Sequence, residues 1–165
     1  MPTPDLYDVL VIGGGQAGIP LARGLAAKGM RVALAERQHL GGSCVNFGCT
    51  PTKAAIASAR IAHQSRRAAE WGVRVGGVTV DFPAVIARAR AIAERSRHGL
   101  EAGFAQAPNP VLLRGHARLD GRTEGGFRVR VGAGGAIART VVLNTGTRTA
   151  MPPIEGLAEI GVIHA

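Results

Sequence analysis

The sequence predicts an α/β fold in which a parallel central sheet carries a small antiparallel β region. Three observations predict it. An apolar, β-branched run, Tyr7-Asp8-Val9-Leu10-Val11-Ile12, opens the chain and reads as a buried parallel strand. A glycine-rich turn, a helix and a second strand follow within about 25 residues, the order of a βαβ unit. From Pro110 onward, strand-like segments alternate with glycine turns.

Each element has a local reason. Gly13 to Gly18 is the turn, and Ile19 to Lys28 is a helix that tolerates Pro20 only near its first turn. Gly29 ends that helix, and Arg31 to Glu36 is the second strand. After a cysteine-bearing segment, a helix runs from about Pro51 to Arg67. Trp71 to Val80 reads as loop with short extended pieces. Asp81 is placed to cap a long helix from Pro83 to about Leu100, because a carboxylate accepts the free N–H groups there and proline suits the first turn. Its Val85, Ile86, Ala89, Ile92, Ala93 and Leu100 share one apolar face. Val111–Gly115, Phe127–Val131 and Ala138–Leu143 read as strands, with Gly121 and Gly132 to Gly135 as turns.

With 165 residues and 46% hydrophobic content, the chain is long enough to bury a core. It is read as one domain over 1–150, with 151–165 leading out of it. The N-terminus lacks a basic start and an apolar run, and no apolar stretch spans a bilayer, so the expectation is a cytoplasmic protein that touches no membrane. The net charge is +9, and of 20 basic residues only Lys28 and Lys53 are lysines. Nucleic-acid binding is not expected, since the arginines are scattered and aromatics make up only 4% of the chain. The excess positive charge suits an anionic cofactor better.

Gly13, Gly15 and Gly18 form a G-x-G-x-x-G turn between the first strand and the first helix. Gly13 permits the tight turn, Gly15 lets a pyrophosphate reach the backbone, and Gly18 lets the helix pack closely. The helix N-terminus adds free N–H groups for phosphate oxygens. Glu36, at the end of the second strand, stands where an acid accepts hydrogen bonds from an adenosine ribose. These residues define a Rossmann-like dinucleotide cradle that suits FAD and NAD alike.

Cys44 and Cys49 are the only two cysteines. A five-residue step along an unbroken helix rises about 7.5 Å, too far for a disulfide, so a bonded pair requires a break in the helix. Gly48 and Pro51 supply the means, because glycine relaxes the backbone and Pro51 has no N–H to bond back to Phe47. Cys49 is expected near the start of the following helix, where the helix dipole and Lys53 favour a thiolate. A redox pair, two buried thiols and a metal site all remain open. Zinc needs more ligands than His39, the one histidine nearby, provides, so no metal is assigned.

The segment Gly41-Gly42-Ser43-Cys44-Val45-Asn46-Phe47-Gly48-Cys49-Thr50-Pro51-Thr52-Lys53 resembles the redox-active motif of the FAD-dependent pyridine nucleotide–disulfide oxidoreductases. Gly115-His116-Ala117 resembles the strand of that family that lies against the adenine. Leu143-Asn144-Thr145-Gly146-Thr147-Arg148 resembles its later T-G turn beside the flavin nucleotide. The wording is most similar to mercuric reductase-like and dihydrolipoamide dehydrogenase-like members. The resemblance implies that FAD lies across Gly13, Gly15 and Gly18, with Glu36 on its ribose. Gly42, Ser43, His116, Ala117, Thr145 and Gly146 would complete the cofactor site, Ser43 near the pyrophosphate. NAD(P)H would reduce the flavin, and the flavin would reduce a Cys44–Cys49 disulfide. Cys49 would stack on the flavin, Cys44 would exchange with substrate, and Lys53 would stabilise the reduced ring. The substrate would be a small thiol or disulfide, or a mercuric ion. The full-length family is expected to be homodimeric.

No second glycine fingerprint for NAD(P)H follows Gly146, and the family's dimerisation domain with its acid–base histidine is not in this sequence. The expectation is an N-terminal portion of such an enzyme, a partial domain. The other reading is a non-catalytic flavin-binding or interaction module. Thr149 stands where many relatives have proline, and His63, His98, His116 and His164 have no catalytic partner that the sequence identifies.

Overall fold

The computed structural model describes residues 5–148, 150–157 and 159–160. Thr149 and His164 lie outside them. Strands β1 (Asp5–Ile12), β2 (Val32–Glu36), β3 (Val111–Arg114), β4 (Ala117–Thr123), β5 (Gly126–Val131) and β6 (Gly134–Leu143) form one sheet in the order β3-β2-β1-β6-β5-β4. The pairs β1–β2, β2–β3 and β1–β6 are parallel, while β4–β5 and β5–β6 are antiparallel. The helices are α1 (Gly18–Ala27), α2 (Gly42–Asn46), α3 (Cys49–Arg67) and α4 (Phe82–Gln106). The predicted α/β class with a parallel sheet and an antiparallel region is what the chain adopts.

Side chains alternate across β1, so the strand feeds two cores. Val9 and Val11 join Val32 and Leu34 of β2, Ile19 and Ala22 of α1, Leu40, and Phe104 near the end of α4. On the other face, Leu10, Ile12, Ala33 and Ala35 meet Val129, Val131, Ala136 and Ala138. That second cluster shows that the sheet curls, so that β5 and the first half of β6 cover the face the helices leave open. Gly115, between the two edge strands β3 and β4, permits the closure: a Cβ there would stand 2.7 Å from the Gly132 backbone nitrogen. Among the described residues, no polar side chain is fully buried.

Two polar devices fix the register. Asn109 donates from Nδ2 to the Met30 carbonyl at 2.7 Å and accepts the Val32 N–H at 3.0 Å, which ties the entrance of β3 to that of β2. Asp8 accepts the Arg31 N–H at 2.8 Å, and its own N–H donates to the Arg31 carbonyl at 2.8 Å. Asp81 caps α4 as predicted, accepting the Ala84 N–H at 3.0 Å, a contact of about 1 kcal/mol. Helix α3 lies along α4, where Arg88 donates to the Ala54 carbonyl at 3.0 Å.

Several expected boundaries change. Helix α4 continues past Leu100 to Gln106, because Phe104 buries against the sheet and draws two glycines, Gly99 and Gly103, into the helix. Strand β4 was not expected beyond Ala117, and Gly121, expected as a turn, lies inside it: Arg118, Asp120 and Arg122 are exposed on an edge strand and give no apolar signal. Gly134 and Gly135, expected in a turn, open β6 and pair with Val131 and Arg130. Ala68–Trp71 forms a short 3-10 turn, and residues 73 to 81 form no strand. Among the described residues, no helix is long and apolar enough to cross a membrane.

Candidate active site

Strands β1, β2 and β6 run parallel, so their carboxyl ends share one edge of the sheet. The chain leaves β1 toward β2 on one side, and β6 returns on the other. This is the reversal point where a crevice opens in such sheets. The Gly13 N–H donates to the Ala35 carbonyl at 2.8 Å, and the Asn144 N–H donates to the Ile12 carbonyl at 2.8 Å. The turns after β1 and β6 are thereby laid side by side.

The glycines of the turn have different reasons to be glycine. Gly13 has φ +110°, and a Cβ there would collide with the Asn144 carbonyl. A Cβ on Gly18 would collide with the Gly13 carbonyl. Both are required by the protein's own packing. Gly15 differs: its Cβ would meet only Asn144 Nδ2, at an ordinary 3.4 Å, and would otherwise occupy the open crevice. What needs Gly15 bare is whatever enters that crevice. No side chain caps the N-terminus of α1. The Ile19 and Leu21 N–H groups donate to the Gly15 and Ala17 carbonyls and Pro20 has none, so an anion there is met by the turn before the helix and by the helix dipole.

Two connected cavities lie along this edge. The larger, about 820 Å³, is lined by Gly13, Gly15, Gly42, Ser43, Cys44 and Asn144, among others. The smaller, about 270 Å³, is lined by Ile12, Ala35, Gly115, His116 and Ala117. Glu36, Arg37 and the Thr145–Arg148 turn line both. The structure thus brings Gly13, Gly15, Glu36, Gly42, Ser43, Cys44, His116, Ala117, Thr145 and Gly146 to one continuous cleft. Gly18 lies beneath it. Lys53 is exposed and lines neither cavity.

Glu36 does more than the sequence suggested. Its Oε2 accepts the Gly14 N–H at 2.7 Å, and its Oε1 accepts the Gln38 N–H at 2.7 Å. The carboxylate therefore holds the glycine turn, and each oxygen keeps a lone pair for a further donor such as a ribose hydroxyl. Gly42, with φ +61°, would place a Cβ 2.9 Å from the Gly15 Cα, so it is also a packing glycine between the two loops. The Gly41 N–H donates to the Gly14 carbonyl at 2.7 Å, and Gln16 Nε2 donates to the Gly41 carbonyl at 3.2 Å.

Sequence reasoning passed over three residues that build the cleft. Asn144 Nδ2 donates to the Gly13 carbonyl at 3.0 Å. Asn46 Nδ2 donates to the carbonyls of Leu40 at 3.0 Å and Gly42 at 2.9 Å, holding the cysteine loop closed. Leu40 is fully buried beneath Gly14, whose Cβ would stand 2.7 Å from Leu40 Cδ2. Asn144 could have been found, since a lone amide at the end of an apolar strand beside a T-G turn has few other uses.

The cysteines sit on either side of a helix break. Cys44 lies in α2, Phe47 and Gly48 interrupt the helix, and Cys49 is the first residue of α3. The N–H groups of Phe47 and Gly48 both donate to the Ser43 carbonyl, at 2.8 and 2.7 Å. This tightened turn delivers the break that the spacing demanded. Both cysteines are free thiols, Cys44 half-buried and Cys49 exposed. A hydrogen bond with Cys49 holds the Cys44 thiol above its ordinary pKa, helped by partial desolvation, while Lys53 pulls weakly the other way. Among the described residues, no three His, Cys, Asp or Glu side chains gather as metal ligands.

The α/β sheet thus carries a cleft along its carboxyl edge with Cys44 at one end, while Cys49 is exposed and lines neither cavity. This is the architecture of a dinucleotide-binding fold with a thiol pair beside it. Residues 7–164 match the model of the pyridine nucleotide-disulphide oxidoreductases, and the chain belongs to that family. It is 35% identical over 120 residues to a dihydrolipoyl dehydrogenase of Chlamydia muridarum, which covers 73% of this chain and 26% of that protein. It is 34% identical over 160 residues to a mercuric reductase of Acidithiobacillus ferrooxidans, covering 92% of this chain and 28% of that one. Among solved structures, the HOCl-induced flavoprotein disulfide reductase RclA of Escherichia coli superposes with a TM-score of 0.70 at 29% identity, over 92% of this chain and 31% of that one. The chain spans about a quarter to a third of the length of these relatives. The family uses FAD and NAD(P)H, and its FAD-binding region falls within this chain.

Proposed function

We propose that this chain carries the flavin cradle and the redox-active thiol pair of an FAD-dependent disulfide oxidoreductase. The observation that supports this most directly is the continuous cleft, with an adenosine-sized cavity at Ala117 and His116 and a thiol at Cys44. The cleft fits FAD: Gly15 is bare toward it, Glu36 offers free lone pairs to a ribose, and Gly42 and Ser43 flank the way to the sulfurs. FAD, when bound, supplies the two electrons that reopen the disulfide.

The remaining chemistry belongs to the chain. The Cys44 thiolate attacks one sulfur of a substrate disulfide, forming a mixed disulfide and releasing the first thiol. Cys49 then attacks the Cys44 sulfur, releasing the second thiol and closing the Cys44–Cys49 bond. Two protein thiols are oxidised, two substrate thiols are formed, and the protons from the cysteines go to the leaving sulfurs. The break at Phe47–Gly48 supports the closing step, because regular helix would hold these residues too far apart. Lys53, four residues after Cys49 on α3, places a positive charge beside the pair. The same sulfurs would accept a mercuric ion. Residues 1–150 are assigned to the FAD-binding domain and 151–165 to the segment leading out of it. NAD(P)H would act through further domains, as would homodimer formation. A dithiol working in its reduced form suits a cytoplasmic location.

The test is the absorption spectrum of the purified chain after incubation with FAD and again after dithiol reduction. Bound flavin with a new long-wavelength thiolate–flavin band, lost in Cys49→Ser and kept in Cys44→Ser, supports the assignment. Protein that takes up no FAD overturns it. FAD bound with no band in any variant supports a flavin-binding module without redox chemistry.

A further inference from the structure

The cleft carries two arginines that the cradle motif does not use. Arg37 follows Glu36 at the end of β2, and Arg148 closes the turn after β6. Both line the smaller cavity and both line the larger one, so they stand where the two join. Both are exposed.

Their charges are left over. Arg31, Arg67, Arg97, Arg114, Arg130 and Arg139 each pair with a carboxylate within 4 Å. Among the described residues, Arg37 and Arg148 pair with none. Among the described residues, Glu36 is the one acid lining either cavity, and its two oxygens hold the N–H groups of Gly14 and Gln38. The junction is therefore a site of uncompensated positive charge in a concave surface, where opposite charge is drawn in most strongly.

Resting on the flavin reading above, we propose that Arg37 and Arg148 form a phosphate clamp at the adenosine end of the cleft. The group it takes is the phosphate that joins a 5′-adenosine to the rest of the dinucleotide. The adenosine cavity ends at this junction, and the larger cavity leads from it past Gly15 to Cys44. A dinucleotide laid through both carries its first phosphate past this junction, which both arginines line. Guanidinium groups suit that task because their planar donors match phosphate oxygens in pairs. The glycine turn at Gly15, just before α1, then serves the second phosphate.

The experiment titrates FAD into the full chain by fluorescence at low and at raised salt, and ADP by calorimetry. Arg37→Gln/Arg148→Gln is compared with Arg37→Lys/Arg148→Lys and with the control Arg74→Gln/Arg90→Gln, which removes two charges from exposed residues that line neither cavity. Circular dichroism verifies that every variant is folded. The glutamine pair in the cleft should bind FAD and ADP about tenfold more weakly and lose most of the salt dependence, from two exposed charge-assisted contacts of roughly 0.7 kcal/mol each. The lysine pair should keep the salt dependence, and the control should match the wild type. FAD binding that is equal in the cleft and control variants overturns the clamp but leaves the flavin reading intact. If the wild type takes up no FAD, the flavin reading falls and the ADP titration decides alone. Equal ADP affinities, or no ADP binding by either protein, overturn the clamp.

Discussion

Cys44 shows how one contact can set the order of a reaction. Its thiol is held above its ordinary pKa mainly by the hydrogen bond with Cys49, and then by partial desolvation and by the Cys49 charge. A raised pKa means less thiolate at a given pH, so Cys44 attacks more slowly with Cys49 beside it than it would alone. Removing Cys49 removes the largest raising contribution. In Cys49→Ala, the pH midpoint for alkylation of Cys44 should therefore move down, and the rate at neutral pH should rise. Adding Lys53→Gln to that variant should move the midpoint part of the way back, because Lys53 lowers the Cys44 pKa. Peptide mapping after iodoacetamide labelling across pH measures both. Identical midpoints in the wild type and Cys49→Ala would mean that the thiols do not communicate. The spacing of Cys44 and Cys49 and the nearby Gly48 and Pro51 made the helix break legible in the sequence. The influence of Cys49 on the Cys44 thiol was not legible, since it depends on how α2 and α3 meet.

The turn after β1 divides into glycines that the fold needs and a glycine that the ligand needs. Gly13→Ala drives a methyl into the Asn144 carbonyl at a left-handed φ, so it should cost about 3 kcal/mol or more. Gly15→Ala meets nothing closer than ordinary contact and should cost less than about 1 kcal/mol while weakening FAD binding more than tenfold. Urea denaturation and FAD titration of the two variants separate these effects. A Gly15→Ala chain that binds FAD normally would show that no pyrophosphate approaches there. At this scale the sequence was informative wherever apolar residues ran together. β1, β2, α1, α3 and the start of α4 announce themselves. β4 does not, because Arg118, Asp120 and Arg122 face solvent on an edge strand, and side-chain patterning reports burial rather than pairing. Helix α2 is hidden for another reason. It is five residues long and entered through two glycines at positive φ, which read as loop until Leu40 and Asn46 are seen holding them.

Across the whole molecule, the cleft is where separate parts of the sheet come together. Its lining comes from the ends of β1, β2 and β6, from the start of β4, and from α2. These segments are held to one another by backbone and amide contacts at the loops, such as Asn144 to Gly13 and Gly41 to Gly14. The sheet order that gathers them follows from β6 returning beside β1, a long-range pairing that no local pattern encodes. A ligand spanning the cleft touches all of these segments at once and none of them together once the chain unfolds. FAD should therefore stabilise the native state as a whole. At a free concentration of one hundred times its dissociation constant, the gain is about 2.7 kcal/mol. For a chain of this length that raises the melting temperature by roughly 5 to 10 °C. Differential scanning calorimetry with and without FAD measures the shift, and Gly15→Ala serves as the control that keeps the fold but closes the cradle. A wild-type shift that Gly15→Ala abolishes would tie the stabilisation to the pyrophosphate passing over that glycine. Equal shifts in both would mean that FAD binds elsewhere. The arginine excess, scattered in the sequence, would then have drawn the anion to a surface rather than into the cleft.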